Sequence, residues 1–210
     1  MEEVVLMDKP DFKKTNSYHA PKTFQFLDVP HTQYLMIDGH GDPNTAQAYQ
    51  DALKTLYPVA YKLKFASKLA GRDYVVPPLE GLWWAEQMDS FTVARDKSQW
   101  DWTMMLMVPE WLGQDDVAQA LNTAQTSGKL PAGDKIRLGS LSEGSCVQVL
   151  HIGSYDDEAP VLARMHQYIA DHGMDLSGKH HEIYLSDPRR VQPAKLRTIL
   201  RQPVVPATHK

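Results

Sequence analysis

The apolar positions along the chain alternate between runs of period two and a stretch of period near 3.6, and this succession occurs twice. In the first half, "TQYLMIDGH" (32–40) is a short apolar run closed by a glycine-containing turn, and it predicts a strand. "GDPNT" follows with helix-start chemistry: Asp42 as the N-cap and Pro43 preset at the first helical position. "AQAYQDALKTLYPVAYKLK" then places Ala46, Tyr49, Leu53 and Leu56 at helical spacing. Pro58 lacks an N–H for the helical ladder and is expected to kink or end this helix. Beyond "PPLE", the aromatic runs "GLWWAE" and "WDWTMMLMVP" (100–109) predict two strands joined by a hairpin-like connection.

The second half restates the plan. "SCVQVLHIGSYDDEAP" (145–160) supplies strand, glycine turn, acidic cap and proline, with Gly39 and Gly153 offset by 114 residues and Asp42 and Asp156 likewise. "VLARMHQYIADHG" predicts a helix with Leu162, Met165 and Ile169 on one stripe and Gly173 as its stop. "HHEIYLSDP" and "KLRTILRQPV" predict two closing strands, joined through the turn Ser186-Asp187-Pro188. Both halves read β-α-β-β, with a connecting helix and a Gly/Pro loop in 110–135. The expected fold class is α+β, a tandem βαββ repeat with pseudo-two-fold symmetry and one antiparallel sheet. The expected boundaries are an extension (1–22), a single domain (23–204, repeats about 23–109 and 136–204) and a tail (205–210). With both helices on one sheet face, the bare face is expected to bend into a ligand groove at the junction of the repeats.

Period two then sorts the side chains. In 180–186, Ile183 and Leu185 share a face, expected to pack on the helix, while His180, Glu182 and Tyr184 look into the groove. Glutamate is most often a solvated residue. It is disfavoured in strands, however, and this strand is expected to be internal, which favours a functional Glu182. Trp83 and Trp84 must point to opposite faces, and either could line the groove. Trp100, Trp102, Met104 and Leu106 share one face of the next strand, with Asp101, Thr103, Met105 and Met107 on the other. Any one of these aromatics is most simply a core residue. Together, Trp83, Trp84, Trp102, Met105 and Tyr184 are candidates for a wall that accepts flat hydrophobic ligands.

Composition narrows the chemistry. The 210 residues carry a net charge of −4 with scattered Lys and Arg, so no basic surface points to nucleic acid. No apolar run approaches the ~20 residues of a membrane span, and the charged N-terminus lacks a signal-peptide core. The one cysteine, Cys146, excludes an intrachain disulfide and fits a reducing, cytoplasmic setting. Nine histidines raise the question of a metal, but HExxH and Cys/His spacings are absent, and His180 and His181 face opposite ways on a strand. Neither metal nor cofactor is expected. GxSxG, P-loop and GxGxxG motifs are also missing.

Four stretches, "PPLEGLWWAE", "WDWTMMLMVP", "CVQVLHIGSYDDEAP" and "HHEIYLSDPRR…KLRTILRQPV", together resemble the GyrI-like small-molecule-binding family from about Thr23 to Val204. The double tryptophan is similar to the stand-alone branch of that family. The resemblance implies tandem SHS2 modules, each βαββ, in agreement with the repeat. It also implies drug sensing, gyrase inhibition or hydrolysis of cyclopropanoid genotoxins. A cleft carboxylate carried over from drug-binding relatives falls on Glu182, the aromatic lining on Trp83 or Trp84, and a cleft tyrosine on Tyr155. The roughly twenty upstream residues leave no room for a helix-turn-helix, which favours a stand-alone protein.

Two functions are therefore expected. In the first, Glu182, desolvated between aromatic walls, is the general base for hydrolysis of a strained ring, with Tyr155 or Tyr184 donating to the developing oxyanion. In the second, Glu182 is only a counter-charge for planar or cationic ligands, which the aromatic walls also favour. The expected partner is a planar hydrophobic or cationic small molecule. No protein partner is legible.

Overall fold

The structure, a computed structural model, describes residues 9–86 and 96–208. Its strands are β1 (Gln25–Val29), β2 (Thr32–His40), β3 (Leu79–Ala85), β4 (Trp100–Met107) and β5 (Arg137–Leu141), followed by β6 (Gly144–Ile152), β7 (Met174–Leu176), β8 (His180–Tyr184) and β9 (Arg197–Pro206). The helices are α1 (Gln47–Leu69), α2 (Gln114–Ser127) and α3 (Ala159–Asp171). They are accompanied by short 3₁₀ turns, among them Phe12–Lys14, Asn16–Tyr18 and Tyr155–Glu158. The connection expected between the two aromatic strands falls largely on 87–95, outside the described residues. Among the described residues, no helix is long and apolar enough to cross a membrane.

The strands form one antiparallel sheet in the order β1-β6-β9-β8-β3-β4-β2-β5, with β7 paired to the end of β9. The order contains the repeat: β2-α1-β3-β4 in the first half and β6-α3-β8-β9 in the second. Each lays its last two strands between its first strand and the centre, where β3 meets β8. The flanking strands are exchanged. β1 lies two residues before β2 but pairs with β6, and β5 lies two residues before β6 but pairs with β2. Links this short force the sheet to curl until its ends meet, and His31 Nδ1 of one link lies 2.8 Å from Ser142 Oγ of the other.

All three helices pack on the same face. The α1 side chains Ala52, Leu56, Val59 and Leu63 bury against Leu35, Ile37, Trp83, Trp102 and Met104. Helix α2 adds Val117, Ala120 and Ala124 to that core. Met165 and Ile169 of α3 bury against Val147, Val149 and Leu200. Gly173 ends α3 in the left-handed region (φ +70), as its position predicts.

Three local expectations are corrected. Helix α1 begins at Gln47 and not at Pro43, because Asp42 caps a separate turn. The Asp42 carboxylate accepts the N–H of Asn44 (2.9 Å), and its carbonyl accepts those of Thr45 (3.0 Å) and Ala46 (2.7 Å). Pro58 does not end α1, which continues to Leu69, because Val59, Ala60 and Leu63 beyond it are buried and tertiary packing overrides the lost hydrogen bond. Gly39 lies within β2, and the turn belongs to Gly41 (φ +98). A Cβ at Gly39 would stand 2.1 Å from the Trp102 ring, so the glycine admits that ring to the core.

Candidate functional site

The pairing of β3 with β8 sets Gly81 opposite Glu182, Trp83 opposite His180 and Leu79 opposite Tyr184, all on one face. Glu182 also pairs with Leu200, which lies in the α3 core, and Trp83 lies in the α1 core. The carboxylate is therefore on the helix-covered face, above the central strands between the α1 and α3 cores, and its surroundings there are the candidate cleft. This corrects the expectation that Ile183 and Leu185 pack on the helix while Glu182 looks to the opposite face. Ile183 and Leu185 pack instead with Tyr18, Phe12 and Ala20 of the N-terminal segment, which covers the other side.

Glu182 is the end of a short hydrogen-bond relay. Trp83 Nε1 donates to the Tyr184 hydroxyl (2.9 Å), and that hydroxyl donates to Glu182 Oε2 (2.7 Å). The second oxygen, Oε1, lies 3.6 Å from His180 Nε2, and the Glu182 side chain is 11% exposed. Gly81 makes the relay possible: a Cβ there would stand 2.8 Å from Trp83 Nε1 and 3.1 Å from the Tyr184 hydroxyl.

Aromatic rings close the cleft from both repeats. Tyr49 of α1 packs on Trp83 (centroids 6.3 Å apart) and edge-on to Trp102 (5.4 Å). Tyr155, in the turn before α3, meets Tyr184 edge-to-face at 5.7 Å, and Trp100 meets Trp83 at 5.8 Å. Burial, then the Glu182 charge, push the Tyr155 hydroxyl up to about 12. The same two causes raise Tyr49 and, more strongly, Tyr184. All three phenols thus remain protonated donors near neutral pH. Lys97 Nζ meets Asp156 Oδ1 at 3.0 Å and ties the approach to β4 to the Tyr155 turn.

The structure brings together Glu182, Tyr184, Trp83 and Tyr155 among the candidates drawn from sequence, and sets three apart. Trp102 is fully buried over Gly39, beneath Tyr49. Trp84 points to the opposite face, where the Lys179 ammonium sits 3.1 Å from its ring centroid. Met105 lies on that face too, against Tyr34, Met36 and Leu82. Strand alternation is the reason for Trp84 and Met105, whereas Trp102 pairs with Trp83 on the same face and is set apart by its burial alone.

The chain matches the GyrI-like small molecule binding domain over residues 22–205. It belongs to the GyrI-like family. Among solved structures, an uncharacterized conserved protein from Listeria innocua is 38% identical, with a TM-score of 0.86 over 94% of this chain and 100% of its own. A hydrolase encoded by lin2189 of Listeria innocua is 37% identical, with a TM-score of 0.84 and the same coverage. The EcmrR C-terminal domain shares the fold at 14% identity, with a TM-score of 0.58 over 88% of this chain and 98% of its own. No curated protein matches. As a GyrI-like chain, this protein carries a small-molecule-binding domain, and the aromatic cleft around Glu182 is its candidate binding site.

Three cleft residues were not among the sequence candidates. In sequence, Tyr49 belongs only to a helix stripe; one helix residue over an unknown sheet position carries no further signal. His180 shares the groove face with Glu182 by period two, but its residue type alone suggests a metal ligand and gives it no role beside the carboxylate. Glu158, buried at the start of α3, raises Tyr155 and Tyr184 through its charge. Its place in "YDDEAP" reads as a helix start alone.

Proposed function

We propose that this GyrI-like protein binds flat, electrophilic cyclopropanoid genotoxins in the aromatic cleft and hydrolyses them, with Glu182 as general base. The observation that carries this reading is the buried Glu182 carboxylate, fixed by Tyr184 through one oxygen and walled by Trp83, Tyr49 and Tyr155. The 37% identical Listeria innocua protein described as a hydrolase supports it.

In a spirocyclopropane conjugated to a dienone, water attacks the unhindered ring methylene. The new C–O bond forms as the strained C–C bond breaks, and that electron pair aromatises the ring and charges its carbonyl oxygen. Glu182 Oε1 takes the proton of the attacking water, and the Tyr155 hydroxyl, which stays protonated, donates a hydrogen bond to the new phenolate. Passage of that proton from Glu182 to the phenolate leaves water added across one C–C bond, with no net oxidation or reduction. Excluding bulk water strengthens each of these polar interactions.

An aromatic box around a carboxylate also favours a second reading, retention of planar cations without chemistry. The experiment that separates them is incubation with a cyclopropyl-pyrroloindole, following the ring-opened product by mass. More than one product per protein, lost in Glu182→Gln, supports hydrolysis. Stoichiometric binding without product leaves retention alone.

A further inference from the structure

The face of the sheet turned away from the Glu182 cleft encloses a second space. The curl of the sheet forms its walls, and the N-terminal segment carrying Phe12 and Tyr18 closes one side. Between them lies a cavity of about 310 Å³, with Phe12, Tyr18, Tyr34, Met107 and Trp111 as its aromatic and thioether lining and Glu80 in its floor. It is distinct from the cleft. Glu80 and Gly81 are neighbours on β3 and point to opposite sides.

The chemistry of the floor defines what it can accept. Glu80 is 1% exposed and receives the Tyr18 hydroxyl at 2.6 Å, the Tyr34 hydroxyl at 3.3 Å and His181 Nε2 at 2.9 Å. His181 Nδ1 lies 3.0 Å from Glu143, and Arg201 donates to Glu143 Oε2 at 3.3 Å and to Gln148. Burial opposes the charge on His181, but Glu143 and Glu80 hold its pKa up to about 9, so the ring is protonated near neutral pH. Two carboxylates then face two cations, and the floor has no unpaired charge to offer a charged ligand. Both phenol hydrogens are spent on Glu80, yet each phenol oxygen keeps acceptor capacity. A guest that reaches the two phenols must therefore donate to them. The volume lies at the lower end of the range for small-molecule sites and suits a two- or three-ring molecule.

We propose that this cavity is a second small-molecule site, for an uncharged flat aromatic of phenol or indole type whose O–H or N–H is accepted by Tyr18 or Tyr34. The site is independent of the reaction proposed for Glu182.

The test titrates the full chain at neutral pH with 2-naphthol and with 2-methoxynaphthalene, the same ring without its donor. The naphthol is expected to bind roughly five- to tenfold more tightly, the contribution of one hydrogen bond. In protein labelled with 5-fluorotryptophan, the Trp111 resonance, assigned with Trp111→Phe, shifts on addition of naphthol while that of Trp83 does not. The double variant Tyr18→Phe, Tyr34→Phe keeps the walls and removes the difference between the two probes. Equal binding of both probes by the unmodified chain overturns the proposal. So does a shift at Trp83 without one at Trp111, or no binding up to millimolar naphthol.

Discussion

Glu182 and Gly81 face each other across the central strand pair, and each makes a separate claim about the cleft. If Glu182 is the base, Glu182→Gln keeps the shape and the acceptor for Tyr184 but cannot take a proton. Turnover of a cyclopropanoid should fall ~10²–10⁴-fold. Affinity measured by tryptophan quenching should change little, and an equal loss in both would move Glu182 from catalysis to binding. Gly81→Ala tests the relay from the other strand. Its Cβ would lie within 3.1 Å of both Trp83 Nε1 and the Tyr184 hydroxyl, so at least one must move. We expect a stability loss of about 1–3 kcal/mol in urea unfolding, together with weaker ligand binding. Wild-type stability and affinity in this variant would mean that the relay is not maintained in solution. At this scale the sequence was informative where chemistry and periodicity agreed. A glutamate amid apolar strand residues was legible as the central charge, with Tyr184 on its face. The side on which that face lay was not legible, because both faces of this sheet are covered and Ile183 is as buried as any helix-packed residue. The same ambiguity left Trp83 and Trp84 undivided.

The long elements were legible nearly to their ends. β2, β4 and β8 begin where their apolar runs begin, and α3 stops at the predicted glycine. Strands β1, β5 and β7 were not, since they are short and half-exposed and gain their partners from distant parts of the chain. Nothing local in "QFLDV" marks its pairing with β6, more than a hundred residues away. Helix α1 shows the converse, an element that tertiary packing carries through a residue that should break it. Pro58 removes one ladder bond and crowds the preceding turn, at a cost of up to about 3 kcal/mol in a helix interior. The buried residues on either side, Leu56 and Val59, outweigh that cost. Pro58→Ala is therefore expected to raise stability by roughly 1–3 kcal/mol, read as a higher urea midpoint with an unchanged slope. A lower midpoint would mean that Pro58 itself helps seat Tyr49 over Trp83.

On the scale of the whole molecule, the curled sheet places charge where a flat sheet would leave it in water. His181 of β8, Glu80 of β3, Arg201 of β9 and Glu143 of the β5–β6 link converge on the face turned away from the helices, with Tyr18 and Tyr34 completing the Glu80 contacts. These residues join both repeats and the N-terminal segment, so the network registers the halves against each other. Such a network is costly to break, because a lost partner strands a buried charge; breaking one buried pair typically costs about 3–5 kcal/mol. It also sets a pH window. Against the pull of burial, Glu143 and Glu80 raise the His181 pKa from 6.5 to about 9. The stability from that raised pKa is complete below 6.5 and is lost as pH rises through 9. Burial lifts Glu143, but His181 and Arg201 outweigh it and hold its pKa below the usual 4.5, so that share is present above 4.5 and lost as pH falls through the lowered value. The melting temperature should therefore be highest between these limits and decline steadily from pH 6.5 to 9. In His181→Gln it should be lower at pH 6 and nearly level across the same interval, since no proton is then lost from this position. Parallel declines in the two proteins would show that His181 is not the group whose titration loosens the fold.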